Sequence, residues 1–473
     1  MDRMIPVGKV TPKCASEIKE SRIGIGFEKL DRYAFDPEKA YDKLAALGVK
    51  WARLQSGWQR TEQQKGVYDF AWLDEIVDNL IRRGVHPWMC LCYGNPLYNK
   101  AAEQCYGAVG CPPINSEEEK NAWAAYVTAL AARYKGRVLR YEVWNEPDNS
   151  FSWHHADHFE KGEPNTCSGT ELGLFTVATA KAIRAADPDC EIFGGSLYNH
   201  AVAFLTDAFE AGMGDWIDAV SYHEYTTDER FVAERVRSIR GIINRYNPRL
   251  KIVQGESGSQ SRWDGRGALR RFEWTPKKQI KELLRHSMAD LMSEVEMLSY
   301  FSCMDMKEAL RGRVGDAASY KDYGYFGVLG ADFDDEGNAT GEYTPKPSYY
   351  ALQTLCALFC EPCKQEAVPV VVQPFNEFRA HEDLPLSEMT TTGWRLADGT
   401  LAYCYWAHTD LITSDFESAT TFLVTSSKTE FKIIDLADGT IYKIPEHLVE
   451  KTGVNSYRLI HIPVRDYPML LII

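Results

Sequence analysis

The sequence predicts an α/β fold, a (β/α)8 TIM barrel, with a C-terminal β-sandwich domain. Short apolar runs alternate with segments of helical periodicity as far as about residue 360, which is the pattern of parallel βα units closed into a barrel. Beyond that point, short alternating strands are separated by turn residues, which is typical of a sandwich. We therefore expect a barrel at residues 21–362 and a sandwich at residues 363–473.

The barrel strands are predicted from eight short apolar runs. These run from Ile23 to Phe27, Trp51 to Gln55, Pro87 to Cys92, Leu139 to Val143, Glu191 to Gly195, Ala219 to Tyr222, Lys251 to Gln254 and Met297 to Phe301. Intervening segments such as residues 70–83 and 117–134 carry the apolar spacing of helices that lie against a sheet. An apolar segment at residues 346–359, with a proline near its start, predicts the last barrel helix.

The predicted sandwich is organised around two turn signals. Asp398-Gly399 and Asp438-Gly439 each lie between alternating apolar runs, which predicts two hairpins. Residues 1–20 include Val7 and Val10 and are expected to add an edge strand to this domain. A packing module is the favoured interpretation of the sandwich, and a direct carbohydrate-binding role is the alternative.

Polar and aromatic residues follow several of the predicted strands. They are Arg53, Tyr93, Asn95, Glu146, His223 and Glu256. Parallel barrels build their sites at the carboxyl ends of the strands, so we expect these side chains to converge on one site.

Two of these residues are glutamates that each close an apolar strand. Glu146 lies in the run from Arg140 to Asp148, and Glu256 ends the run from Leu250. Glycoside hydrolysis needs such a pair, because one carboxyl protonates the leaving oxygen while the other attacks the anomeric carbon or activates water. The pair predicts a glycosidase.

The segment Trp144-Asn145-Glu146-Pro147 resembles the acid/base signature of clan A, the retaining glycosidases built on (β/α)8 barrels. Ser221-Tyr-His-Glu-Tyr225 is similar to strand 6 of that clan, and Trp51-Ala-Arg-Leu54 to its strand 2. Glycoside hydrolase family 39, the β-xylosidases and α-L-iduronidases, is the nearest family. The likeness runs from about residue 22 to about residue 360.

This resemblance implies roles for individual residues. Glu146 would be the acid/base and Glu256 the nucleophile, while Asn145 would bind the sugar 2-hydroxyl. Arg53, His223 and Tyr225 would lie beside the nucleophile. The clan usually places a tryptophan at the end of strand 8 as a sugar platform, whereas this chain offers Tyr300 or Phe301.

Further substrate-binding candidates are aromatic or polar residues near the strand ends. Trp58, Tyr93 and Trp144 are interpreted as stacking platforms for a sugar face, with core packing as the alternative. Asn95 is included because of its position after strand 3. Glu28, which ends strand 1, is expected either to reach glycon hydroxyls or to form a loop salt bridge.

No metal or other cofactor is predicted. The segment from Trp153 to His158 holds His154, His155 and His158, but a sugar-binding or cleft-capping loop is favoured over a metal site, since this hydrolysis requires no metal. Most of the twelve cysteines lie in apolar strand or helix patterns and are expected to be thiols. Cys105 and Cys111 are the only local pair that suggests a disulfide.

Charge and hydropathy restrict the partners. A net charge of −14 argues against nucleic acid and anionic membranes, which would be repelled, and is compatible with a carbohydrate substrate and with a homo-oligomer. No segment has the roughly 20 apolar residues of a spanning helix. Residues 1–20 are charged where a secretion signal would be apolar, so the chain as written is expected to be cytoplasmic, or secreted or periplasmic if a signal has been removed.

Two other classes of function share these residues. A non-catalytic carbohydrate-binding barrel would normally lack one of the two glutamates, and a transglycosidase would keep both but pass the sugar to another sugar. Long loops at residues 95–115 and 148–170 favour a walled pocket and exo action on plant or host glycan-derived oligosaccharides, with a β-xyloside-like glycon.

Overall fold

The computed structural model describes residues 1, 4–149, 152–155, 167–198, 202–308, 321–373 and 383–473. Strand β1 (Ile5–Lys9) precedes the barrel and pairs with the C-terminal domain. The barrel is closed by eight parallel strands in chain order. They are β2 (Ile23–Gly26), β3 (Trp51–Gln55), β4 (His86–Leu91), β5 (Arg140–Val143), β6 (Glu191–Leu197), β7 (Ala219–Glu224), β8 (Lys251–Ser257) and β9 (Met297–Tyr300). Each overlaps a predicted apolar run, and the predicted TIM barrel is confirmed.

Helices connect the barrel strands. The α-helices described are Tyr41–Leu47, Trp58–Thr61, Ala71–Arg82, Glu117–Tyr134, Gly169–Ala186, Val202–Glu210, Val232–Tyr246, Pro276–Met292 and Pro347–Leu358. Short 3-10 turns cover Leu30–Arg32, Pro37–Lys39, Lys100–Gln104, Tyr106–Ala108, Met213–Asp215, Glu229–Phe231, Leu386–Glu388 and Glu446–Leu448. Among the described residues, no helix is both long and apolar enough to cross a membrane.

Local chemistry explains where the long helices begin. The side chain of Ser116 accepts a hydrogen bond from the Glu119 amide, and Ser168 and Glu171 form a reciprocal capping box. Thr275 caps the helix Pro276–Met292, whose first residue is a proline that donates no backbone hydrogen bond. These polar residues satisfy amides that would otherwise lack a partner in the first helical turn.

The lower part of the barrel interior is filled by large apolar side chains. Trp88, Phe193, Ala219, Val253 and Met297 form a buried layer across the strands. Above this layer, the guanidinium carbon of Arg53 lies 5.6 Å from the centre of the Trp88 ring. The barrel is therefore a packed core whose upper end holds polar groups.

Two antiparallel strand pairs follow the barrel. They are β10 (Met306–Lys307) with β11 (Tyr323–Gly324), and β12 (Leu329–Phe333) with β13 (Ala339–Pro345). The helix Pro347–Leu358 then returns against the helices Tyr41–Leu47 and Pro276–Met292 on the outside of the barrel.

The C-terminal domain consists of two antiparallel sheets. Its strands are β14 (Lys364–Gln365), β15 (Val370–Val372), β16 (Met389–Arg395), β17 (Leu401–Ala407), β18 (Ser418–Thr425), β19 (Lys432–Asp435), β20 (Thr440–Lys443), β21 (Val449–Gly453), β22 (Ser456–Val464) and β23 (Met469–Ile472). One sheet has the order β1-β20-β19-β23-β17-β16-β14 and the other β15-β18-β22-β21. Side chains such as Tyr405, Phe422 and Leu459 form a shared core, so this domain is the expected sandwich.

The sandwich carries turns at the predicted positions. Gly399 lies between β16 and β17, and Gly439 lies between β19 and β20; both have positive φ angles, of 83° and 73°. Glycine adopts this region without steric cost, which explains the two Asp-Gly pairs. Strand β1 pairs antiparallel with β20, with Ile5 opposite Lys443. The N-terminal segment therefore lies at the edge of the larger sheet.

Candidate active site

Arg53 lies at the centre of the polar end of the barrel. Its side chain is fully buried, and four of its N–H groups have acceptors. Nε donates to Glu142 at 2.6 Å, and one terminal nitrogen donates to Asn145 at 3.0 Å. The other terminal nitrogen donates to Glu28 at 2.9 Å and also to Glu256. The planar guanidinium thus ties residues from strands β3, β5 and β8 and the end of β2 into one network.

Glu256 lies on β8 and is held from two sides. One of its oxygens accepts from Arg53, and the other accepts from the hydroxyl of Tyr225 at 2.8 Å. The two donors fix the orientation of the carboxyl group. The structure therefore places Arg53 and Tyr225 against Glu256, as the sequence motifs implied.

Glu146 follows β5 in a sharp turn. Trp144 and Glu146 have positive φ angles of 66° and 49°, a region that non-glycine residues rarely adopt. The Glu146 amide donates to the carbonyl of Ser196, which anchors the turn, and Asn149 Nδ2 donates to the Glu146 carboxyl at 3.0 Å. Strained backbone of this kind clusters at functional sites, where it aims a side chain.

His223 lies between the two glutamates. Its Nδ1 is 3.0 Å from an oxygen of Glu146 and 3.6 Å from an oxygen of Glu256. Burial by itself would lower the pKa of His223, but the charge of Glu256 and the hydrogen bond with Glu146 outweigh burial and raise the pKa above its usual value. An imidazole that keeps its proton can donate to either carboxylate.

The oxygens of Glu146 and Glu256 that face each other lie close together. Ligand atoms of Glu146, His223 and Glu256 are all within 4.8 Å of one another. The nearest oxygens of the two glutamates therefore lie closer than the roughly 6.5 to 9.5 Å that separates the carboxyl groups of inverting glycosidases, and are compatible with the about 5 to 5.5 Å of retaining ones. The same three side chains could ligate a metal ion, although hydrolysis by two carboxylates requires none.

Glu28 is buried beside Arg53 with 2% of its surface exposed. Burial raises the pKa of Glu28 and Arg53 lowers it, and with the charge of Glu256 nearby the balance raises the pKa to about 7. Of its two predicted roles, Glu28 thus has the salt bridge: it pairs with the Arg53 guanidinium, which also contacts Glu256.

The proposed aromatic platforms Trp58 and Trp144 are core residues, and this prediction is wrong. Both are fully buried. Trp58 stacks between Tyr98 and Tyr126, and Trp144 Nε1 donates to the Ser152 carbonyl at 2.7 Å. A sugar face cannot reach a ring that is covered on both sides. The rings of Trp58 and Trp144 instead pack against other aromatic side chains of the core.

Three further candidates have local structural contacts. Asn95 donates to the Glu62 carbonyl at 2.8 Å and accepts from the Leu97 amide at 2.9 Å, so its amide shapes its own loop. Tyr93 is 5% exposed and packs edge-on against Trp144. Tyr300 is 1% exposed, and its hydroxyl donates to the Ser259 carbonyl at 3.2 Å. Direct sugar contact by Asn95 or Tyr300 is therefore contradicted, because both side chains are buried and their polar groups bond to other parts of the protein.

Phe301 is the other residue that was predicted to stand where the clan has its tryptophan platform, and it follows β9 directly. Its ring packs against Phe326 at 5.4 Å, and Phe326 packs against Tyr225 at 6.1 Å. Phe301 also lies close to Gly26 at the end of β2, where an added Cβ would be 3.2 Å from its ring. These aromatic rings form an apolar wall beside Glu28 and Glu256.

Sequence reasoning missed Glu142, Ser196 and Ser221. Glu142 is fully buried on β5, and it accepts from Arg53 and from the hydroxyls of Ser196, at 2.8 Å, and Ser221. Phe326 was missed as well, because it lies in a loop more than 20 residues after the last predicted barrel strand. An acidic residue inside an apolar strand was the signal that could have identified Glu142.

The remaining predicted features lie around the site. His155 Nε2 is 3.1 Å from Glu171, and His158 lies outside the described residues, so the predicted loop is only partly described. The sulfurs of Cys105 and Cys111 are 3.7 Å apart. A disulfide bond is about 2.05 Å long, so the suggested disulfide is replaced by two buried thiols in contact.

Comparison with known proteins shows which proteins this chain resembles. Residues 45–241 match the model of glycosyl hydrolases family 39. The chain is 25% identical over 172 residues to a beta-xylosidase of Geobacillus stearothermophilus; the match covers 35% of this chain and 32%, about a third, of that protein.

Solved structures share the fold. A monomeric beta-xylosidase from Caulobacter crescentus has a TM-score of 0.60 at 16% identity, covering 99% of this chain and 97% of that one. A family 39 glycoside hydrolase enzyme from Xanthomonas axonopodis pv. citri has a TM-score of 0.61 at 15% identity, covering 98% and 95%. The predicted resemblance to glycoside hydrolase family 39 is therefore confirmed by sequence over residues 45–241. The solved structures share the fold of the barrel and the sandwich.

Proposed function

We propose that this protein is a glycoside hydrolase that cleaves O-glycosidic bonds with retention, through a covalent glycosyl-enzyme intermediate. The observation that carries the proposal is the placement of Glu146 and Glu256. Their facing oxygens lie within 4.8 Å of each other, and of the two glutamates Arg53 binds Glu256. Two carboxyl groups at this separation leave room for a sugar carbon and not for a separate attacking water.

Glu256 is the nucleophile in this mechanism. Its carboxylate is held by Arg53 and Tyr225, so it is charged and oriented before substrate arrives. One Glu256 oxygen attacks the anomeric carbon, and the bond from that carbon to the leaving oxygen breaks. Orientation of this kind lowers the barrier because little rearrangement is needed in the transition state.

Glu146 is the acid and later the base. It gives its proton to the leaving oxygen, and the resulting carboxylate can accept a hydrogen bond from His223 Nδ1, which is 3.0 Å away. In the second step Glu146 removes a proton from water, which attacks the anomeric carbon and releases Glu256. Because Asn145 Oδ1 accepts from Arg53, its amide NH2 is the group that would donate to the sugar 2-hydroxyl.

The substrate we propose is a glycan-derived oligosaccharide of plant or host origin, attacked from its end, with a β-xyloside-like glycon. Support comes from the resemblance to beta-xylosidases in sequence and fold. The packed rings of Phe301 and Phe326 beside the acidic residues provide an apolar surface, which matches the apolar face of a sugar ring.

The test is turnover of aryl glycosides by wild type and by Glu256→Ala. The panel includes β-xyloside, β-glucoside, β-galactoside, α-arabinoside and uronides. We expect activity on one glycon, loss of that activity by at least about 10⁴-fold in the variant, and recovery with azide as the glycosyl azide of inverted configuration.

Glu229→Gln provides the control, because Glu229 is a buried, arginine-paired glutamate outside the site. It should retain turnover. Unchanged activity in Glu256→Ala would remove the assigned nucleophile, and wild type that leaves aryl glycosides and natural polysaccharides intact would leave a carbohydrate-binding barrel. An added acceptor sugar separates hydrolysis from transglycosylation by the products formed.

A further inference from the structure

Glu142 stands out among the buried charged residues because neither step of the proposed reaction uses it. It lies on β5 four residues before Glu146, at the same level as Arg53, and its side chain has no exposed surface. A carboxyl group placed there loses its hydration, a cost that is repaid only by close partners.

The partners of Glu142 come from three other strands. One oxygen accepts from Arg53 Nε on β3 at 2.6 Å, and the other accepts from Ser196 on β6 and from Ser221 on β7. Burial would raise the pKa of Glu142, but Arg53, His223 and the Ser221 hydroxyl outweigh burial and hold it below its usual value. Glu142 is therefore a carboxylate.

Arg53 depends on this contact for its orientation. Glu142 holds the Nε edge of the guanidinium, while the opposite nitrogens reach Asn145, Glu28 and Glu256. Because the group is planar, fixing one edge fixes where the other donors point. Movement at Nε would change the distance from Arg53 to Glu256.

The charge of Glu142 matters as much as its position. Arg53 carries one positive charge and contacts three carboxyl groups. With Glu142 ionised against its inner edge, Arg53 attracts the electrons of Glu256 less strongly than an uncompensated arginine would. A nucleophile held too strongly as an anion loses reactivity, since its charge must pass to the sugar in the transition state.

We propose that Glu142 is a positioning residue for the reaction: it fixes the Arg53 guanidinium between Glu256 and Asn145, and it offsets the arginine charge so that Glu256 stays nucleophilic. This inference rests on the proposed function and adds a residue that acts only through Arg53. Ser196 and Ser221 hold Glu142 in turn.

Two substitutions separate the charge from the position. Glu142→Gln keeps the shape and removes the charge, whereas Glu142→Asp keeps the charge and withdraws the carboxylate from Arg53 by one methylene. For Glu142→Gln we expect kcat/KM to fall about 10- to 100-fold. The acidic limb of its pH profile should move to lower pH, because a net positive Arg53 makes protonation of the neighbouring carboxylates harder.

For Glu142→Asp we expect a comparable loss of rate with the acidic limb near its wild-type position. Glu229→Gln is the matched control, since Glu229 is also buried and also accepts from an arginine, Arg285, through two nitrogens at 2.9 and 2.7 Å. Glu229→Gln should lower stability but leave both kcat/KM and the acidic limb of the pH profile unchanged. Wild-type rates in both Glu142 variants would overturn the proposal, as would a rate loss in Glu142→Gln with no movement of the limb.

A crystal structure of Glu142→Asp provides an answer that does not depend on turnover. We expect the Arg53 nitrogen that serves Glu256 to move out of hydrogen-bond distance of that carboxylate. An unmoved guanidinium would overturn the positioning role. A third result would separate the two proposals. If wild type were inactive on every glycoside while Arg53 was displaced in Glu142→Asp, the proposed function would be overturned and the structural role of Glu142 would stand.

Discussion

Two buried charge clusters in this molecule are built on different principles. The Arg53 cluster (Arg53, Glu28, Glu142, Asn145 and Glu256) places one cation among three carboxyl groups at the open end of the barrel. The interface cluster (Lys281, Arg285, Glu229 and Asp466) pairs two cations with two carboxylates.

The interface cluster lies where the helix Pro276–Met292 meets the sandwich. Lys281 Nζ contacts Asp466 at 2.6 Å and the carbonyls of Ile412 and Ser414, and Arg285 donates to the Thr409 carbonyl at 2.8 Å. Each charge there has one opposite partner, so the cluster can only join the domains. Around Arg53, by contrast, three carboxyl groups share one guanidinium, and carboxyl groups in excess of their cations are more typical of a functional site than of a structural contact.

Among the cations of the two clusters, the largest effect is expected for Arg53→Met. It removes the cation that contacts all three carboxyl groups directly, so kcat/KM should fall by at least about 10³-fold. The free energy of unfolding should also fall, by about 3 to 5 kcal/mol, because buried carboxylates lose their partner. Aryl-glycoside kinetics and urea denaturation measure the two effects.

Arg53→Lys sharpens this result. Lysine keeps the charge but cannot donate in four fixed directions, so stability should recover more than activity. If Arg53→Lys were as active as wild type, the geometry of the guanidinium would not matter and the cluster would act through charge alone.

The next effect is expected for Lys281→Met, which breaks the interface cluster. Asp466 would be left buried without its cation, so the free energy of unfolding should fall by about 3 to 5 kcal/mol. Turnover below the unfolding temperature should stay at the wild-type level, because no interface residue touches the Arg53 cluster. Thermal unfolding and kcat/KM provide the measurements.

The double variant Lys281→Met with Asp466→Leu removes both charges and should recover much of the lost stability. A drop in kcat/KM that follows the drop in stability would show that the two clusters are coupled, and the contrast between them would be lost.

The smallest effect is expected in the pH dependence of stability at Glu28. Its folded pKa of about 7 lies above the unfolded value. Glu28 therefore contributes stability that is fully present below an unfolded pKa of about 4.3 and is lost as the pH rises through the folded pKa. In Glu28→Gln nothing titrates at this position.

The free energy of unfolding of wild type minus that of Glu28→Gln should therefore decrease between pH 5 and pH 8, by about 1 to 3 kcal/mol. Urea denaturation at several pH values across this range measures the difference. A difference that is constant with pH would show that Glu28 keeps the same protonation state in the folded and unfolded protein.

The contrast between correct and incorrect predictions follows from the range of the interactions involved. That Glu146 and Glu256 would meet in one site was predicted because each ends an apolar strand, a signal carried by adjacent residues. Trp58 was misjudged because its burial depends on Trp123 and Tyr126 in the helix Glu117–Tyr134, more than 60 residues later in the chain. Asn95 was misjudged for the same reason, since its partner Glu62 lies on another βα loop.

The sequence by itself determined the alternation of strands and helices, the Asp-Gly turns and the strand-end positions of the two glutamates, because periodicity and turn chemistry act over a few residues. Only the tertiary structure decided which charges meet: that Glu142 shares Arg53 with Glu256 from 114 residues away, and that Phe326 reaches the site wall. Closing the barrel brings distant strands within hydrogen-bond distance, and both the cost of burial and the strength of a charge pair depend on that distance.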